Sequence, residues 1–215
     1  MTYEEIDSFF ARNKPAMQFV QTASDDYVGA RVCFTNALIN QGYVFSQQAV
    51  EKLLKAYILL LKPEEKVHHR RHYPSHDLNY LLEKLHEFSK LDTSQYKELC
   101  AVLTATYPYF RYPSADYLMK LPYRKFSTAL IHDVDSMFIE LYIRLPLPDP
   151  VKVRCGILGY LKISRWAKAV GHVITGNRAY EKYINYFAHP LEWYTNPESR
   201  SATLTTEIKI RRMDE

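Results

Sequence analysis

The run FSQQAVEKLLKAYILLL, Phe45 to Leu61, constrains the fold of this chain more than any other stretch. Wound at about 3.6 residues per turn, it gathers Ala49, Val50, Leu53, Tyr57, Leu60 and Leu61 on a wide apolar arc. Gln48, Glu51, Lys52 and Lys55 are left on a narrow stripe, about a quarter to a third of the circumference. A helix with so little polar surface needs apolar neighbours around it. The stripe reads either as the lining of a nucleotide groove or as a solvent face with Glu–Lys pairing one turn apart.

The neighbours are legible on both sides. Ser24 to Asn40 carries one apolar set at Tyr27, Ala30, Phe34, Ala37 and Leu38 and a second at Val28, Val32 and Ile39, so this helix is expected to be covered on two faces. Gly42 reads as the break before the next helix. In PSHD, Ser75 is the expected N-cap and Asp77 the first-turn acid of a third helix built on Leu78, Leu81, Leu82, Leu85 and Phe88. Asp92 to Thr106 predicts a weaker helix ended by Pro108 and Pro113. Tyr123 to Tyr142 predicts a fourth strong helix burying Phe126, Leu130, Val134, Met137, Phe138 and Leu141, with Asp133 at the edge of its apolar arc. The fold class is all-α.

PLPDP, Pro146 to Pro150, reads as a rigid linker, because closely spaced prolines cannot continue a helix. The expected division is an N-terminal extension over 1–23, a helical bundle over 24–145, the linker over 146–150 and a basic C-terminal extension over 151–215. Of the 28 Lys+Arg and 24 Asp+Glu in the chain, 11 and 6 fall in Val151–Glu215, leaving 17 and 18 before it. In a helix over Cys155 to Ile174, Arg154, Arg165, Lys168 and His172 line up beside Lys162. This is either a nucleic-acid surface or a solvated face. Leu204, Thr206, Ile208 and Ile210 alternate as a short strand would.

Other classes are excluded by what is missing. No apolar run approaches the roughly 20 residues that span a bilayer, so the chain is expected to be cytoplasmic and without a membrane partner. Cys33, Cys100 and Cys155 are scattered, which fits neither a disulfide framework nor a thiolate metal site. The cluster HHRRH brings His68 and His72 near His76 with only Asp77 as a carboxylate, and no metal is expected there. There is no Walker-type glycine loop, no GxGxxG and no HExxH, and no cofactor is expected.

Three stretches in order carry a resemblance: QQAVEKLLKA in the second helix, His-Asp-Leu at His76 to Leu78, and Arg-Tyr-Pro at Arg111 to Pro113. Together, over Ser24 to Arg144, the chain resembles the HEPN family of helical, nucleotide-associated domains. The resemblance implies an up-and-down bundle of four or five helices, commonly paired as a homodimer, and Val28, Val32 and Ile39 offer an apolar stripe for such pairing. Family members that cleave RNA carry an arginine followed about four to six residues later by a histidine, which act on one phosphodiester without metal. Arg111 stands where that arginine belongs, but no histidine follows it. Arg71 with His76 matches the spacing elsewhere, beside a helix N-terminus that favours an anion.

The expectation is therefore a protein that binds nucleotide or RNA phosphate through Arg111, Tyr112 and Asp116, with His76, Asp77, Arg71, Lys52 and Lys55 as further contacts, and without an intact nuclease pair. The alternatives are a metal-independent RNase of the toxin type, using Arg111 and a histidine from elsewhere such as His76 or His132, and a non-catalytic dimerisation or adaptor module. A nucleotidyltransferase active site is absent from this chain, so a nucleotidyltransferase partner, like an antitoxin, would act in trans.

Overall fold

Thr2 and Glu5 satisfy each other's backbone amides: the Thr2 N–H donates to Glu5 Oε2 at 2.7 Å, and the Glu5 N–H to Thr2 Oγ1 at 3.2 Å. This reciprocal box opens α1, Tyr3–Arg12. Ile6 on α1 is fully buried in the same apolar core as the later helices, so the segment expected as an extension packs on the bundle. The computed structural model describes residues 1–65, 67, 76–111, 129–157, 171, 173 and 176–183.

Helix α2 spans Lys14–Thr35, with Pro15 in its first turn, where a missing N–H costs nothing. It thus starts well before Ser24 and stops before Asn40. The reversal comes at Asn36 to Leu38, with Ala37 held at φ 58° in the left-handed region. Helix α3, Ile39–Leu61, then runs back along α2. Gly42, expected to break the chain, lies inside α3 and is buried; a Cβ there would come within 2.9 Å of the Phe34 ring. Its role is close approach of α3 to α2, not termination.

Helix α3 is the centre of the fold, touching α2, α4 (Leu78–Ser89), α5 (Lys97–Arg111) and α6 (Leu130–Ile143). A 3-10 turn at Ser94–Tyr96 leads into α5, and α5 continues through Pro108 to Arg111 rather than stopping at the proline. Short helices α7, Asp149–Arg154, and α8, Arg178–Lys182, pack on α1 and α6 respectively. The chain is an all-α bundle, and the described residues contain no strand. Phe126 and the alternation at Leu204 to Ile210 lie outside the described residues. Among the described residues no helix is long and apolar enough to cross a membrane.

One polar cluster sits in the core. Arg31 of α2 pairs with Asp135 of α6, the two side chains being 3% and 1% exposed. Tyr27 stacks on Phe138 at 4.3 Å, donates its hydroxyl proton to Asp135 Oδ1 at 2.7 Å and accepts from Asn177 Nδ2 at 2.8 Å. Asn177 in turn caps α8 through the Tyr180 N–H, 2.9 Å away. Burial pushes the Asp135 carboxyl above its ordinary value, against the pull of Arg31 and Tyr27. The acid noted in the sequence, Asp133, is exposed instead.

The proline run ends α6 as expected, but it does not hold two bodies apart. Leu145, Leu147, Val151, Cys155 and Ile157 are buried in the common core. The Tyr142 hydroxyl donates to the carbonyls of Lys152 and Cys155 at 3.1 and 2.8 Å, and Lys152 Nζ donates to that of Ile143 at 2.7 Å. The apolar stripe offered for dimer formation is also used within the chain: Val28 is buried, Val32 and Ile39 are half-buried against the core, and Ile39 belongs to α3, not to the first helix of the pair.

Two neighbouring substitutions are expected to act with opposite signs in thermal melts. Ala37→Gly relieves a left-handed alanine and raises stability by about 0.5–1 kcal/mol, whereas Gly42→Ala presses on Phe34 and lowers it by about 1–3 kcal/mol. Asp135→Asn, which leaves the Arg31 guanidinium buried without its counter-charge, is expected to cost about 3–5 kcal/mol in denaturant unfolding.

Candidate functional site

The α3 stripe is largely turned inward. Gln47 is fully buried, and the Glu51 and Lys55 side chains are only 10% and 8% exposed. Lys55 Nζ donates to Glu51 Oε1 at 2.6 Å, and Gln47 Nε2 to Glu51 Oε2 at 2.8 Å. These three residues, one turn apart, form a polar ladder in an otherwise apolar seam. Lys52 points to the other side and pairs with Asp26 of α2 at 2.5 Å; burial raises the Asp26 carboxyl above its usual value, and the Lys52 hydrogen bond and charge pull it back. Lys52 and Lys55, expected to line an open groove, each hold a carboxylate, Lys55 in a nearly buried pair and Lys52 in a part-exposed one.

The start of α4 closes over this ladder. Asp77 is the N-cap, its carboxylate accepting from the Asn79 and Tyr80 N–H groups at 3.0 and 3.2 Å. The predicted cap, Ser75, lies outside the described residues and the helix begins at Leu78, so Asp77 stands before the first turn rather than in it. Its carboxylate thus satisfies two of the free amides at the start of α4, the role of a helix cap. The Leu78 N–H donates to Thr104 Oγ1 of α5 at 3.1 Å, which fastens this corner to α5. His76, just ahead of the cap, is 55% exposed, with Nδ1 3.0 Å from Glu51 Oε2.

Because α5 passes through Pro108 unbroken, Tyr107 and Arg111 are one turn apart on the same face. Tyr107 is 3% exposed. The Arg111 guanidinium carbon lies 5.3 Å from the centre of its ring, within cation–π range, and the His76 ring lies 5.4 Å from it. Arg111 itself is exposed. The structure therefore brings two of the sequence candidates, His76 and Arg111, against one tyrosine. The Tyr107 hydroxyl and Gln47 Oε1 are buried and lack a hydrogen-bond partner among the described residues.

A planar guanidinium and an imidazole on one exposed edge can hold a phosphate between them, the arginine with two parallel N–H donors and the histidine with one. Among the described residues no group of three or more His, Cys, Asp and Glu side chains is placed to hold a metal ion. Sequence reasoning named His76 and Arg111 separately but missed Tyr107 and Gln47. The available signals were the four-residue spacings Tyr107–Arg111 and Gln47–Glu51–Lys55.

The remaining candidates divide cleanly. Tyr112, Asp116, Arg71, His68, His72, Lys162, Arg165, Lys168 and His172 lie outside the described residues. Arg154, at the end of α7, binds Asp7 of α1 at 2.5 Å and lies over the Phe10 ring at 5.4 Å. Cys155 is extended, with ψ 163°, so the helix expected to carry Arg154 in register with Arg165 is interrupted there. His132 is exposed in the first turn of α6.

Compared with known proteins, the chain matches one family model, described as HEPN domain, over residues 16–142. The match runs from the first turn of α2 to the last turn of α6. No curated protein and no solved structure matches it.

Since the Tyr107 hydroxyl is buried without a described partner, Tyr107→Phe is expected to leave thermal stability unchanged or raise it by up to about 1 kcal/mol. Tyr107→Ala, which removes a buried ring that His76 and Arg111 both lie against, is expected to cost about 3–5 kcal/mol.

Proposed function

This chain belongs to the HEPN domain family, and we propose that it binds nucleotide or RNA phosphate on the face where Arg111 and His76 flank Tyr107. The supporting observation is that shared ring: Arg111 at 5.3 Å and His76 at 5.4 Å, both reaching solvent. Stacking on Tyr107 limits the rotamers of Arg111 and so lowers the entropy lost when its fork engages a phosphate. The excess of Lys and Arg in Val151–Glu215 adds long-range attraction for a polyanion. Pairing with a second copy, as is common in the family, and an antitoxin or nucleotidyltransferase partner in trans belong to the same proposal. Three free, buried cysteines suit a reducing compartment such as the cytoplasm.

A second reading, metal-independent RNA cleavage, is favoured by one observation: His76 is held by the Glu51 carboxylate, an arrangement that suits a general base. In that reaction His76 takes the proton of the ribose 2′-hydroxyl. The 2′ oxygen attacks phosphorus, the bond to the 5′ oxygen breaks, and that oxygen leaves with a proton from solvent. Arg111 offsets the charge that builds on the phosphoryl oxygens. The products are a 2′,3′-cyclic phosphate and a free 5′-hydroxyl.

Arg111→Lys separates phosphate binding from packing. Binding predicts a loss of about 1–3 kcal/mol in affinity for single-stranded RNA, because an ammonium cannot form the paired hydrogen bonds, while melting stays constant. A purely structural role predicts lower melting with unchanged affinity of the folded fraction. Incubating wild-type protein with RNA in chelator decides the second reading: cleavage to a 2′,3′-cyclic phosphate, abolished in His76→Ala and Arg111→Ala, establishes it, and intact RNA leaves the binding role alone.

A further inference from the structure

Glu51 is an uncommon use of a carboxylate. It is nearly buried on the central helix, and it collects Lys55 Nζ at 2.6 Å on one oxygen, with Gln47 Nε2 at 2.8 Å and His76 Nδ1 at 3.0 Å on the other. An ion pair placed in an apolar seam gains little over well-packed apolar side chains, since desolvation offsets the attraction. Stability alone therefore gives no reason for the ladder. Among the described residues, its outward end is the exposed ring of His76.

We propose that Glu51 is a positioning residue that fixes His76 as its Nδ1–H form. A carboxylate only accepts hydrogen bonds, so the contact at 3.0 Å requires Nδ1 to donate. Nε2 is then the ring nitrogen that gains or loses a proton and meets the ligand. The backbone at His76 is pinned independently, by the Asp77 cap and by the Leu78 N–H on Thr104 Oγ1. Glu51 supplies what those contacts do not, the rotation of the ring and the choice of nitrogen. Lys55 and Gln47 hold the carboxylate in place for that task. The functional consequence rests on the phosphate-binding reading given above; the nitrogen assignment stands apart from it.

The test uses the full chain with nitrogen-15 histidine, read at a pH where the ring is neutral, together with binding of a fluorescein-labelled single-stranded oligouridylate. The wild-type His76 ring shows the Nδ1–H signature, and Glu51→Gln moves it toward a mixture of the two forms. Glu51→Gln weakens oligouridylate binding about tenfold, the scale of one misdirected charge-assisted hydrogen bond. In a His76→Ala background the same change leaves affinity unaltered, an outcome that a general packing role does not produce. A wild-type ring in the Nε2–H form overturns the proposal, even if the variant fails to fold. So does an equal loss of affinity in both backgrounds. Absence of oligouridylate binding by wild-type protein sinks the phosphate-binding reading instead, and the wild-type ring signature then decides the role of Glu51.

Discussion

A guanidinium sealed in an apolar core must have its counter-charge beside it, and the bundle is arranged around that requirement at Arg31 and Asp135. The pair joins α2 to α6 across the interior. Tyr27 extends it by donating to the same carboxylate, and Asn177 extends it again from the start of α8. Residues from three distant parts of the chain are thus tied to one carboxylate. An apolar filling could pack as well, but a charged pair with directed hydrogen bonds constrains how α6 lies on α2.

Helix α3 lies against both α2 and α6, and its two faces do different work. The apolar arc makes the core with α2, α4, α5 and α6. The ladder Gln47, Glu51 and Lys55 runs under the corner where α4 begins and α5 ends, and among the described residues it reaches solvent at His76 and, across Tyr107, near Arg111. The site is therefore an edge of the core, and the rigidity of the central helix is passed directly to a side chain that meets solvent.

Much of this was written in local patterns. The apolar periodicities place α3 to α6, and Arg111 and His76 were recognised as candidates from the company they keep in sequence. The errors fall where local rules lose to packing. Gly42 reads as a breaker because glycine lowers helix propensity, yet Phe34 needs the space its missing side chain leaves. Pro108 reads as a terminus because it lacks an N–H, yet α5 continues to Arg111. Asp133 drew notice from its place on a helical wheel, while Asp135, two residues on, holds the buried charge. Helix α1 was missed although its signal, the Thr2–Glu5 box, stands in plain view.

The sequence by itself determined that this chain is a helical bundle and which family it belongs to, and it singled out Arg111, although it ended the helix before that residue. These follow from periodicity, capping residues and short motifs, all of which act over one or two turns. Only the tertiary structure decided that Lys55 faces inward, that Asp77 is the residue that caps α4, and that His76 and Arg111 share a tyrosine. Those outcomes depend on residues far apart in the chain, such as Glu51 with His76 and Arg31 with Asp135. No local rule contains the distance between them, because it is set by the burial of charge and the packing of one helix on another.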